Sequence, residues 1–373
     1  MGKPYDNPWL SIPAADYEGH MGPEGVGQLA VLADLLGQAC QELQPRRVLV
    51  LGCATGNGFD RVDPKVTDWL TGVDMNPEYL ALARTRYAAT WCGRLELLGT
   101  DIEDLMLPPQ SQDLIFAGLI FEYLEPGPLL DRIATWLAPG GACEVVLQLH
   151  SAATAMVTPT RFESLRKLAA IMRLVPPESL LSAAEPSGLM AGAPREVPLP
   201  QDKRFLVQRL TSPVGDAVIR PARTEADYRE ARGLFEEYAR HLGFDLCFQG
   251  FTAELESLPT VYGPPRGCLL LLEVTGKTLG CIGVRMLEPA VGELKRMYLR
   301  PAVRGRGLGH RLGEEALRAA KALGYRKIRL DTLARMAPAV GLYRAMGFRE
   351  IPAYRENPLA DVMFMEIDVS GAG

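Results

Sequence analysis

The chain has 373 residues, 47% hydrophobic and 23% charged, with a formal net charge of −5 at pH 7. That length is comfortable for two cores, and the mildly acidic balance argues against a nucleic-acid partner gripped by its phosphates, since such surfaces are basic. Seven scattered cysteines (Cys40, Cys53, Cys92, Cys143, Cys247, Cys268, Cys281) never form a Cys-x-x-Cys pair, which reads as thiols of a reducing cytosol, not disulfides or zinc ligands.

The first thirty residues, broken by Pro4, Asp6, Pro13, Asp16 and Glu18, lack the apolar core of a signal peptide. No apolar run approaches the ~20 residues of a membrane span, so a soluble cytoplasmic protein with no membrane partner is expected. Residues 1–27 carry little periodicity and read as an ordered cap. Its aromatics Tyr5, Trp9 and Tyr17, with His20, either close over a ligand or pack on the back of the domain. Residues 27–43 have helical spacing.

Arg47 to Leu51 is a short apolar run that enters the turn Gly52-Cys53-Ala54-Thr55-Gly56-Asn57-Gly58. This spacing is not the Gly-x-Gly-x-x-Gly of nicotinamide-binding folds. The run Trp69 to Val73 ends in Asp74-Met75-Asn76-Pro77, placing a carboxylate where ribose hydroxyls need an acceptor. Leu95 to Leu98 leads to Gly99-Thr100-Asp101-Ile102, and Asp113 to Phe116 opens into residues 117–124. Leu137 to Gly141 reads as a turn before a strand from Ala142 to Leu149. Strands alternating with helices predict an α/β domain with a mostly parallel sheet and ligands at its carboxyl edge.

This succession resembles the class I S-adenosylmethionine-dependent methyltransferases over about residues 25–210. The resemblance implies a Rossmann-like fold with Gly52, Gly56 and Gly58 around the methionine part of S-adenosyl-L-methionine, Asp74 and Met75 at its ribose, and Asp101 and Ile102 at its adenine. Two positions depart from the pattern: Val50 replaces the acid on the first strand, and Ala54 replaces a motif glycine. Glu122, Tyr123 and His150 lie past strand ends on the reactive edge, where each can face an acceptor; Glu122 can equally anchor a helix, and His150 can simply end a strand. Arg161 to Leu174 has a helical pattern, Val175 to Pro200 reads as a Pro- and Gly-rich cap, and Lys203 to Leu210 as a final strand. The expected domains are 1–211 and 217–373, joined by a linker at 212–216.

The second domain begins with a strand from Ala217 to Pro221 and a helix that Thr224 caps and that runs to His241. Phe251 to Leu258 reads as another helix, Cys268 to Leu287 as a hairpin about Thr275-Gly276-Lys277, and Val291 to Leu299, Lys327 to Leu330 and Val362 to Asp368 as strands. The result is an α+β domain with a mixed sheet. Its most explicit stretch is Arg304-Gly305-Arg306-Gly307-Leu308-Gly309, a strand-to-helix turn in which glycines let backbone N–H groups converge on an anion. A pyrophosphate suits such a turn.

With Met297-Tyr298-Leu299-Arg300-Pro301 before it and Gly341 to Phe348 after it, this turn resembles the GNAT acetyltransferase superfamily over roughly residues 216–369. The resemblance implies acetyl-CoA, its pyrophosphate on the amides of Arg304 to Gly309 and its pantetheine along the backbone of Met297 and Leu299. Tyr343 matches the family's general acid, and Met336 stands where an asparagine is common. Glu293, at the start of the strand leading to the turn, is a candidate general base for the amine proton, or a surface residue, or a binder of cationic acceptors. Tyr354 and Asn357 are placed near the same acceptor, while His241 and His310 read as exposed helix residues. No His/Cys/Asp cluster has metal-ligand spacing. The expectation is a bifunctional transferase acting on small molecules, with a protein or peptide acetyltransferase carrying a non-catalytic first domain as the rival.

Overall fold

The computed structural model describes residues 7–149, 160–200, 203–243 and 250–370, and the chain divides between Pro213 and Val214 into two units. The first unit runs α1 (Ala14–Met21), α2 (Gln28–Leu43), β1 (Arg47–Leu51), β2 (Trp69–Asp74), α3 (Pro77–Trp91), β3 (Leu95–Gly99), β4 (Gln112–Gly118), α4 (Pro126–Trp136) and β5 (Leu137–Gln148). It closes with α5 (Pro177–Ser187), β6 (Met190–Ala191), β7 (Arg195–Pro198) and β8 (Arg204–Thr211). The sheet order is β3-β2-β1-β4-β5-β8-β6, with β7 also on β8. Strands β1 to β5 pair in parallel, and β8 runs antiparallel to β5.

The inner parallel strands are apolar because helices cover both faces: β1 buries every residue but Arg47, whereas the edge strand β3 is half-buried at best. Strand order reverses between β1 and β4, so the chains leaving those strands diverge and open a crevice at the carboxyl edge. The entry to α3 is sharp: Asn76 accepts N–H groups of Glu78 and Tyr79, and Pro77 occupies the first turn, where no donor is missed.

Three expectations need correction. Residues 137–141 are no separate turn: β5 begins at Leu137, and the Pro-Gly-Gly stretch is an irregularity at which β4 partners jump from Leu137 to Ala142. The helical pattern of 161–174 yields a 3₁₀ segment, Glu163–Ala170. The cap-like stretch after Val175 contains α5, which starts with Pro177 in its first turn and ends at Gly188 in the left-handed region (φ 84°).

The second unit runs β9 (Ala217–Pro221), α6 (Glu225–Leu242), α7 (Phe251–Glu256), α8 (Leu258–Tyr262), β10 (Cys268–Val274), β11 (Lys277–Glu288) and β12 (Val291–Leu299). It continues through α9 (Leu308–Ala322), β13 (Lys327–Leu333), α10 (Ala337–Ala345), β14 (Arg349–Ile351) and β15 (Val362–Asp368). Thr224 and Asp227 form a reciprocal capping box at α6. The helix expected from Phe251 breaks at Ser257, beyond which Pro259 opens α8.

The sheet order is β14-β15-β13-β12-β11-β10-β9, antiparallel throughout except for β12 on β13. That parallel pairing stops at Glu293 and Arg329, although β12 continues to Leu299 and β13 to Leu333. The strands therefore splay. Arg296 sits at the opening as a bulge with φ 55°, where one residue of β12 has no counterpart between Cys281 and Gly283 of β11. One core packs Leu312 and Ala316 of α9 against Ile282 and Leu330, and another packs Leu234 and Phe235 of α6 against Leu269 and Leu271. Alternate residues of β10 thus serve opposite faces.

Candidate functional site

In the first unit a cavity of about 660 Å³ opens at the carboxyl edge, and its wall includes Gly52, Asp74, Met75, Asp101 and Ile102. Asp74 ends β2 facing the glycine turn. Its Oδ2 accepts the Ala54 N–H and its Oδ1 the Asn76 N–H, each at 2.9 Å. Burial outweighs these bonds and raises its pKa to about 6. Asp101 caps a 3₁₀ turn by accepting the Glu103 N–H at 2.9 Å, which points Ile102 inward.

Gly56 and Gly58, expected at the cofactor, do not line this wall. A Cβ on Gly56 (φ 87°) would lie 2.7 Å from the Tyr87 ring, and one on Gly58 (φ 82°) would lie 3.0 Å from the Ala33 backbone. They are glycines because the turn packs against α2 and α3 in a left-handed conformation. Ala54 also has positive φ, 46°, so the substituted motif position still carries glycine-like geometry. Val50 is buried within β1.

The cap lies over this opening. Asn76 Nδ2 donates to the carbonyl of Trp9 at 2.9 Å, and Arg86 on α3 pairs with Glu18 on α1 at 2.5 Å. Trp9, Tyr17 and His20 line the cavity; Tyr5 lies outside the described residues. Trp9 meets Tyr123 edge-on at 5.3 Å, and Tyr17 meets Tyr79 at 5.4 Å. Of the acceptor-facing candidates, Tyr123 and Glu122 are on the wall, and His150 lies outside the described residues.

Glu122 is fully buried, its Oε1 accepts the Gln148 N–H at 2.8 Å, and its Oε2 has no hydrogen-bond partner among the described residues. Burial raises its pKa to about 7. Sequence reasoning missed Gln28, whose amide donates to Gln148 at 3.1 Å, and gave no role to Lys203, which is buried on the same wall. A lysine opening an apolar strand and a glutamine opening an apolar helix were the available signals.

In the second unit the turn leaves β12 and enters α9 with Gly305 at φ 75° and Gly307 at φ 70°. Gly307 is the residue before the helix and, as a glycine, supplies no side-chain cap, which leaves the first-turn N–H groups without the usual capping acceptor. Leu308 buries its side chain, which leaves its amide at the turn. Gly309 has only ordinary contacts near an added Cβ, the closest being Leu342 at 3.4 Å. Arg304 is partly structural: its Nε donates to the Leu299 carbonyl at 2.8 Å and its guanidinium stands 5.6 Å from the Tyr298 ring centre. Arg306 is half-buried in the same turn.

The splay between β12 and β13 holds a pocket of about 70 Å³ lined by Met297, Lys295, Asp331, Met336, Tyr343 and Asn357, among others. Burial raises the Tyr343 pKa, which keeps the phenol protonated. Lys295 is brought down to about 8 by burial, while Lys295 and Arg355 hold Asp331 down at about 2 despite its burial.

Glu293 does not fit the general-base expectation. It is fully buried and absent from this pocket wall. Its Oε2 receives Arg285 Nε at 2.8 Å and Nη2 at 2.7 Å, and its Oε1 receives the Tyr354 hydroxyl at 2.9 Å and pairs with Arg355 at 3.0 Å. Both carboxylate oxygens are thus taken up by donors, and neither lines the pocket where an amine would stand. Tyr354 therefore serves Glu293, and Asn357 serves Asp331 at 3.1 Å. His241 is exposed and His310 half-exposed. Among the described residues no His/Cys/Asp/Glu group is arranged for a metal, and no helix is long and apolar enough to cross a membrane.

The chain matches the family model described as acetyltransferase (GNAT) family over residues 228–348 and that described as methyltransferase domain over residues 48–141. It is 38% identical over 146 residues to an uncharacterized N-acetyltransferase of Schizosaccharomyces pombe, covering 39% of this chain and 90% of that one. It is 32% identical over 159 residues to the IAA acetyltransferase of Azospirillum brasilense, covering 42% of this chain and 92% of that one. The N-methyltransferase NodS of Bradyrhizobium japonicum, solved with S-adenosyl-L-homocysteine, is similar at 19% identity and a TM-score of 0.43, covering 55% of this chain and 98% of that one. The chain belongs to the GNAT acetyltransferase family through its second unit, and its first unit carries a methyltransferase domain.

Proposed function

We propose that the chain is a bifunctional cytoplasmic enzyme that transfers methyl groups from S-adenosyl-L-methionine in the first unit and acetyl groups from acetyl-CoA in the second, both to small-molecule acceptors. The observation that carries the two-activity reading over a scaffold role is the first unit's cavity of about 660 Å³, within the range of ligand sites. A scaffold has no need to keep the buried acids Asp74 and Glu122 around an open space.

The residues fit the two cofactors. Asp74 already takes two N–H donors, yet a carboxylate has further lone pairs for a ribose diol. Met75 and Ile102 offer apolar surface to a purine, and Asp101 a carboxylate beside it. S-adenosyl-L-methionine supplies an electrophilic methyl group when bound. The uncapped first turn of α9 suits a pyrophosphate, and the part of β12 beyond Glu293, released from β13, has backbone groups free of that partner for a pantetheine amide. Tyr343, kept protonated by burial, can donate to a departing sulfur.

Calorimetric titration of the chain with S-adenosyl-L-homocysteine and with acetyl-CoA, each repeated in the presence of the other, tests the reading. Two binding events are expected. Binding of acetyl-CoA alone would reduce the first unit to a scaffold. Tyr343→Phe is expected to lower acetyl turnover by ~10-fold or more while leaving acetyl-CoA affinity nearly unchanged.

A further inference from the structure

Two residues on the cavity wall, Glu122 and Tyr79, carry a buried oxygen, Oε2 and the hydroxyl, with no hydrogen-bond partner among the described residues, and that of Glu122 is the acidic one. A buried carboxyl oxygen without a partner costs free energy, and this one belongs to a residue on the cavity wall. Around it the wall is aromatic and aliphatic: Trp9, Tyr17 and Tyr123, with Leu165 and Leu168 of the 3₁₀ segment. Tyr17 and Asp74 are close enough to influence one another, as are Tyr123 and Glu122, and Tyr123 and Tyr17. Trp9 meets both phenols edge-on, Tyr17 at 6.2 Å and Tyr123 at 5.3 Å, so the three rings form one aromatic face of the cavity. Lys203 lines the cavity too and acts on His20, which marks a basic side of the opening. Another charged group near Glu122 is Arg173, whose backbone N–H donates to the Glu122 carbonyl and whose side chain pairs with Glu125.

We infer that Glu122 receives the amino group of the methyl acceptor, and that this acceptor is an amine carried on an aromatic or apolar body. The inference rests on the methyltransferase reading of the first unit. An ammonium entering beside Trp9, Tyr17 and Tyr123 gains cation–π attraction and, on reaching the buried Oε2, gives it the partner it lacks. One proton then passes from the nitrogen to Oε2, freeing the lone pair that a methyl acceptor needs. Transfer is favoured because burial penalises both charged forms.

The test is calorimetry of the full chain, saturated with S-adenosyl-L-homocysteine, titrated with phenethylamine in buffers of different ionisation enthalpy. With Glu122 titrating at about 7, binding at about pH 6 should release close to one proton per amine, and at about pH 8 close to none. The count is the same whether the bound pair is ionic or neutral. Glu122→Gln, which can still accept the Gln148 N–H through its amide oxygen, should lose the proton release and weaken amine binding by ~10-fold or more, with S-adenosyl-L-homocysteine affinity kept. 2-Phenylethanol should bind more weakly than the amine.

Absence of amine binding, equal binding of the alcohol, or release that does not change between the two pH values would overturn the inference. The pH comparison on the unaltered chain stands even if the variant does not fold. Failure to bind S-adenosyl-L-homocysteine is a separate result and strikes the methyltransferase reading itself.

Discussion

The two candidate sites treat their buried acids in opposite ways. In the first, Asp74 uses a turn amide, that of Ala54, and two of the acids on the cavity wall, Asp74 and Glu122, have raised pKa values of about 6 and about 7, while Glu144, away from the cavity, pairs with Arg209. In the second, buried acids are matched to cations: Glu293 to Arg285 and Arg355, Glu254 to Arg296, Asp331 to Lys295 and Arg355. The turn before α9, by contrast, has no side chain capping its helix. Carboxyls without a cation partner suit a cationic sulfonium and an amine, whereas uncapped amides suit a pyrophosphate. Two glycine-rich turns that look alike in sequence are thus told apart by the element each one enters: a short 3₁₀ segment, Phe59–Arg61, in one case and a 15-residue helix in the other.

The change expected to break this contrast most sharply is Gly307→Asp. The position has φ 70° and nothing within 4 Å of an added Cβ, and aspartate tolerates that backbone better than most residues and caps helices well. The new carboxylate would take the amides and repel a pyrophosphate. Acetyl-CoA affinity should fall by ~1000-fold, about 4 kcal/mol, with the unfolding midpoint kept. Near-normal affinity by calorimetry would mean that the amides are not the anion site.

Glu293→Gln comes next. If the acid is structural, its loss leaves the half-buried Arg285 without its carboxylate and Arg355 with Asp331 alone, and destabilises the second unit by about 2 kcal/mol in denaturant unfolding. A general base would instead show a collapse of acetyl turnover with stability untouched.

The sequence made the strands and the turn before α9 legible because period-two and glycine signals are local: β9, β10, β12 and β15 lie where the residue pattern places them. It could not show that Gly56 and Gly58 face α2 and α3, because glycine spacing is the same for packing and for ligand contact. Nor could it show that Glu293 is saturated, since Arg285, Tyr354 and Arg355 come from other parts of the chain. The helix α5 was hidden by a composition rich in Pro and Ser, although Pro177 at its start is a favoured opening. The wall of the first cavity gathers residues from the cap, two strand ends and the 3₁₀ segment, a set without a common sequence period.

The contrast in buried acids also sets opposite pH slopes. Unfolded Asp and Glu titrate near ~3.9 and ~4.3, below the folded values of about 6 for Asp74 and about 7 for Glu122. Through these two acids the folded first unit binds more protons than its unfolded chain in that window, and their contribution to stability should fall as pH rises from about 4 to about 7, by on the order of 3 kcal/mol per group. Glu122→Gln should flatten its share of the slope. In the second unit Asp331 is held at about 2 and Glu254 is also lowered, so their contribution is present above the unfolded pKa values and lost as pH falls through the folded ones. Denaturant midpoints of the two unfolding transitions against pH give the signs directly.

The smallest expected effects separate the glycines themselves. Gly56→Ala places a Cβ 2.7 Å from the Tyr87 ring at φ 87°, a combination of strain and crowding worth about 2 kcal/mol of stability. Because Gly56 is not on the cavity wall, S-adenosyl-L-homocysteine affinity of the folded variant should stay within ~3-fold, which is under about 1 kcal/mol. Gly307→Ala meets no neighbour and should cost only about 1 kcal/mol for its left-handed backbone, keeping the amides and so the acetyl-CoA affinity. A Gly56→Ala chain that unfolds normally but binds the homocysteine analogue tenfold more weakly would return that glycine to the cofactor. Both turns would then read their ligands through backbone, and the division of labour between carboxyls and amides would no longer distinguish the two units.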